Sequence, residues 1–83
     1  MRRAKSVLRV GDKWLDIECT TGEVVRLVLT TELDGGPVMR ELRDPDRFGQ
    51  VRVDELGALE WANGASLAPE HVTQMLDAVP AGS

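Results

Sequence analysis

A chain of 83 residues, 42% hydrophobic and 29% charged, has room for one core and is too apolar to remain disordered. Fourteen acidic residues against ten basic leave a charge of −4; Arg2, Arg3 and Lys5 lie in the first five positions, so the body carries seven basic against fourteen acidic, or −7. That balance argues against direct nucleic-acid binding, which needs a basic face to release phosphate counterions. One cysteine excludes an internal disulfide or a cysteine-cluster metal site, and no apolar run approaches the roughly 18–20 residues of a membrane span. The expectation is a cytoplasmic protein with no membrane association.

The first apolar run, Val7 to Val10, is stopped by the turn pair Gly11-Asp12. Trp14 to Cys19 then alternates, with Leu15, Ile17 and Cys19 on one face and Trp14, Asp16 and Glu18 on the other. After a turn at Thr20 to Glu23, Val24 to Thr30 alternates again: Val25, Leu27 and Leu29 share a face opposite Val24, Arg26 and Val28. Connections this short join antiparallel strands, so the first thirty residues read as a three-stranded meander. Cys19 falls on the inward face, as a small core hydrophobe.

Gly35-Gly36-Pro37 breaks any regular element, and Val38 to Leu42 reads as a short helical segment or an irregular crossing. At Asp44 to Phe48 the reading is sharper. Asp44 caps, Pro45 takes the first helical position, Asp46 favours the positive end of the dipole, and Phe48 anchors the turn. Val51 and Val53 then alternate with Arg52 and Asp54, and Ala58 to Trp61 returns with Leu59 and Trp61 on one face. Asn63-Gly64 is a turn, because both residues tolerate positive φ. From Pro69, Val72, Met75, Leu76 and Val79 form a stripe at helical spacing.

These elements predict an α+β fold: one antiparallel sheet of four to five strands with the C-terminal helix packed on one face. A single domain is expected over residues 1–79 and a disordered tail over 80–83. Leu15, Ile17, Val25, Leu27, Val51, Val53, Leu59, Leu76 and Val79 are the predicted core. Arg9, Asp16, Glu18, Arg26, Arg52 and Glu60 should face outward, both signs interleaved as in cross-strand pairs.

Catalytic chemistry is hard to build from this chain. His71, beside Glu70, is the one histidine, and a metal site needs three or four ligands. Ser6, Ser66, Ser83 and Cys19 are the candidate serine and cysteine nucleophiles, and none sits in a Gly-x-Ser-x-Gly turn. The glycines form no phosphate-binding loop. The chain is therefore expected not to be an enzyme, with no catalytic, cofactor-binding or metal residue.

Gly36-Pro37-Val38, Leu42-Arg43-Asp44-Pro45 to Phe48, Val51 to Asp54 and, above all, Glu60-Trp61-Ala62-Asn63-Gly64-Ala65-Ser66-Leu67-Ala68-Pro69-Glu70 carry a resemblance. They are similar to the bacterial domain-of-unknown-function family 2442, with its Trp-Pro-Asn-Gly-Ala-Asp-Leu-x-Pro-Glu signature. Ala62 stands where that family usually has Pro, and Ser66 where it usually has Asp. The resemblance implies a small cytoplasmic α+β domain, in some relatives fused to a helix-turn-helix. It also implies a frequent genetic neighbour of the kind seen in toxin–antitoxin pairs. It carries no established catalytic residue.

Charge and size point to a protein-binding or regulatory module, antitoxin-like in its acidity; the alternative is a small-molecule-binding domain or a component of a DNA-binding regulator. The motif at Trp61 to Glu70 reads first as a strand-to-helix corner. Read functionally, it presents Trp61, Asn63, Gly64 and Glu70 as a partner surface. A protein partner, or a second copy in a homodimer, would pair along an edge strand, for which Val7 to Val10 is the candidate.

Overall fold

The structure is a computed structural model, described here for residues 2–79. The meander forms as expected: β1 (Ala4–Gly11), β2 (Trp14–Cys19) and β3 (Val24–Val28) make an antiparallel sheet in the order β1-β2-β3. Two register shifts, between Ala4 and Ser6 and between Val7 and Arg9, put bulges in β1. Pairing of β2 with β3 is regular, from Trp14 opposite Val28 to Glu18 opposite Val24.

Beyond β3 the chain crosses in short helical turns. A 3₁₀ turn (Glu32–Asp34) leads to α1 (Pro37–Arg40), a second 3₁₀ turn (Glu41–Arg43) and α2 (Pro45–Phe48). The segment from Val38 to Leu42, read two ways from sequence, is thus helical, and it buries Leu42. Asp44 caps α2 as predicted, its carboxylate accepting from the Asp46 N–H at 3.0 Å, and Phe48 is buried.

The remaining strands do not extend the first sheet. β4 (Val51–Val53), β5 (Leu59–Trp61) and β6 (Ser66–Leu67) make a second antiparallel sheet in the order β4-β5-β6. The single sheet of four to five strands is therefore corrected to two sheets of three. β4 packs beside β1 without a ladder between them. The bulges explain this: each leaves a residue out of register and breaks the regular row of N–H and C=O groups that β4 would have to join. The corner expected after Asn63-Gly64 is also a hairpin, with Gly64 at φ 93° in its turn and Ser66 opposite Glu60.

Helix α3 (Pro69–Asp77) starts at the predicted proline and packs on β1 and β3, burying Val72 and Leu76. One apolar cluster draws on both sheets and α3, including Leu15, Ile17, Leu27, Phe48, Leu59 and Leu76. Of the predicted core, Val51, Val53 and Val79 are only partly buried, since they sit on short or terminal segments that pack against the cluster's margin. Cys19 is fully buried, and its burial, with Glu23 nearby, pushes the thiol pKa up. The tail expected at 80–83 lies outside the described residues.

The basic leader has a structural task. The Arg2 guanidinium donates to the carbonyls of Leu76 and Val79 at the end of α3 and pairs with Glu23 at 3.1 Å. Its backbone N–H donates to Asp77 Oδ1 at 3.1 Å. A cation on the last carbonyls of a helix satisfies acceptors that have no intrahelical donor and complements the dipole. Arg2→Ala is expected to cost about 1–2 kcal/mol in urea unfolding, and Arg2→Lys less, because an ammonium still reaches the carbonyls as a point charge. An unchanged midpoint for the alanine variant would refute this anchoring.

Candidate partner-binding surface

The residues proposed from the 61–70 motif separate once folded. Trp61 is 4% exposed; its indole packs on Phe48 with ring centroids 6.1 Å apart, and its Nε1–H donates to the Phe48 carbonyl at 3.1 Å. Asn63 is half-buried and fully engaged. Its amide donates to the Val38 carbonyl at 3.1 Å and to Glu41 at 3.0 Å, while its Oδ1 accepts from the Ala65 N–H at 3.0 Å. It ties the hairpin tip to the helical crossing. Gly64 is exposed at the turn, and Glu70 is exposed on the first turn of α3. Trp61 and Asn63 are thus spent on the fold, and only Glu70 offers a free-standing side chain to solvent.

Glu70 lines an open groove of about 700 Å³ bounded by Arg3, Leu56, Thr73 and Asp77. Leu56, at the β4–β5 turn, is 62% exposed. That turn is held by Asp54, whose carboxylate accepts from the N–H groups of Leu56 and Ala58, both at 2.9 Å. The Ala58 bond is the chief reason the Asp54 pKa is lowered.

A more organised surface lies on the outer face of the first sheet. There Arg26 reaches across to Asp16, with Nε to Oδ1 at 2.8 Å and Nη2 to Oδ2 at 3.2 Å. Its guanidinium carbon lies 3.8 Å from the centroid of the Trp14 ring, a cation–π contact. The indole in turn lies on Gly11: a Cβ there would fall 1.9 Å from Trp14 Cε2, so only glycine admits the ring. Asp16 is the one buried charged residue among those described, at 7% exposure. The Arg26 bond lowers its pKa against the opposing effect of burial, helped by the charges of Arg26 and Arg9. Flanking this pair, Val24 and Val28 are 48% and 60% exposed.

Sequence alternation places Trp14, Asp16 and Arg26 outward but does not stack them. The missed signal is the hairpin register: a turn centred on Thr21 sets Asp16 directly opposite Arg26. His71 lies with Nε2 3.7 Å from a Glu32 carboxylate oxygen, an ion pair only when protonated. Among the described residues no three His, Cys, Asp or Glu side chains converge as a metal site would, and no helix is long and apolar enough to cross a membrane.

No family model, curated protein or solved structure matches the chain. The resemblance of residues 36–70 to family 2442 rests on the sequence motif alone.

Proposed function

We propose that this is a cytoplasmic protein-binding module of regulatory type, antitoxin-like in its acidic body, that docks a protein partner on the outer face of its first sheet. The observation that carries the reading is the patch made by Trp14, Val24 and Val28 around the Arg26–Asp16 pair. Aromatic and arginine side chains held rigid beside exposed aliphatic ones are the usual anchors of protein interfaces. The net charge of −4 favours a basic partner, drawn to the flanking carboxylates such as Glu18. The resemblance to family 2442, whose members often neighbour a second small protein, fits the same reading.

The test is tagged capture from cells that produce the protein, run in parallel with the charge-reversed pair Arg9→Glu and Glu18→Lys on β1 and β2. The expected result is a stoichiometric partner on the unaltered chain that is lost from the doubly substituted one at equal folding. A partner held equally by both would move the interface elsewhere.

The groove beside Glu70 favours the second reading, a small-molecule-binding domain or a component of a DNA-binding regulator. Its mixture of Arg3, Glu70 and Asp77 with the apolar Leu56 suits a zwitterionic ligand better than a nucleic acid.

A further inference from the structure

The edge of β3, free among the described residues, has a built-in symmetry. The Cys19 N–H to Glu23 carbonyl and Leu29 N–H to Lys13 carbonyl bonds, both 2.8 Å, flank the β2–β3 ladder. Bonded pairs alternate along an antiparallel ladder, so the odd-numbered residues of β3 bond to β2. Val24, Arg26 and Val28 therefore turn their N–H and C=O groups to the open edge. The strand reads Val24-Val25-Arg26-Leu27-Val28: apolar residues stand at equal distances on either side of Arg26. It has no proline, and its pairing, unlike that of β1, has no bulge.

We infer that two copies of this chain pair antiparallel along β3, about a two-fold axis at Arg26, to form a continuous six-stranded sheet. The inference rests on the outer-face reading only in that pairing doubles that face. In this register Val24 meets Val28 of the second copy, and the buried Val25 meets Leu27. The exposed valines thus find aliphatic partners and the inner faces continue one apolar layer. Arg26 would face its own equivalent, a repulsive pairing if both guanidinium groups stood at the edge. They do not: each is drawn back over Trp14 and bonded to Asp16 on β2. Across the joined sheet the row reads Arg9, Asp16, Arg26, Arg26, Asp16, Arg9, with a carboxylate beside each central guanidinium.

Two five-residue edges cover less than the roughly 1,600 Å² of a standard interface, so the dimer forms at high protein concentration. Each copy carries −4, so added salt should favour pairing by screening the repulsion.

Amide hydrogen exchange and light scattering over a concentration series, on the unaltered chain, test the inference. The expected result is a mass rising toward that of the dimer, with the Val24, Arg26 and Val28 amides slowed about tenfold or more as it rises. The double variant Val24→Lys, Val28→Lys should stay monomeric with these amides fast at every concentration. A monomer throughout, or a dimer protecting other amides, would overturn the inference. The outer-face reading is judged separately, by partner loss in the Arg9→Glu, Glu18→Lys chain; that result is independent of whether the copies pair.

Discussion

Trp61→Ala should remove about 3–5 kcal/mol, the usual cost of deleting a buried aromatic. At about 0.05–0.15 kcal/mol per residue, a domain of this length holds only about 4–12 kcal/mol, so the variant sits near the edge of folding. The size of the effect follows from what the indole does. It fills the space between Phe48 and the second sheet, and its N–H is the donor for the Phe48 carbonyl. Trp61→Phe separates the two roles, keeping an aromatic ring while orphaning that carbonyl, and should cost about 1–2 kcal/mol. Urea unfolding followed by circular dichroism measures both. Trp61→Phe with full stability and lost partner binding would return the residue to the interaction surface and defeat the structural assignment.

The same residue shows where reading along the chain stops. Trp14 to Cys19 and Val24 to Thr30 alternate with period two and are joined by a short turn, so meander, faces and buried set are all legible. Asp44 and Pro45 announce α2 because capping is local chemistry. Other features depend on partners distant in sequence. Asn63 bonds to Val38 and Glu41, and nothing in the 61–70 motif states that its amide is already occupied. A two-residue strand, Ser66–Leu67, is too short to show a period, so the hairpin passed for a corner. Whether β4 joins β1 depends on bulges, and at Lys5 and Leu8 an extra residue looks like an ordinary lapse in alternation. The candidate surface is half visible: alternation puts Trp14, Asp16 and Arg26 on one face, but the stacking of the guanidinium needs the bare Gly11 backbone beneath the indole.

Removing Arg26 should be more damaging than removing its partner. Arg26→Leu leaves the Asp16 carboxylate at 7% exposure with neither of its two guanidinium bonds, and an unpaired buried charge costs more than the pair was contributing. Asp16→Asn leaves a neutral side chain that can still accept a bond, and its loss should be smaller. The double variant should recover part of what Arg26→Leu loses, a non-additivity that a double-mutant cycle in urea reads directly. Acid titration gives an independent measure. The folded pKa of Asp16 is depressed below its unfolded value of about 3.9, so its contribution is complete above that value and is lost as pH falls through the folded one. Stability of the unaltered chain should therefore fall below about pH 4, with Asp54, depressed by its turn N–H groups, contributing to the same slope. In Arg26→Leu the chief cause of the Asp16 depression is gone, and burial opposes what the Arg9 charge still supplies, so the part of the acid-induced fall that Asp16 contributes should shrink. A parallel fall in both proteins, with additive single substitutions, would mean that the Arg26–Asp16 pair is a solvated surface contact and that the stacked arrangement on Trp14 does not hold the sheet's outer face in order.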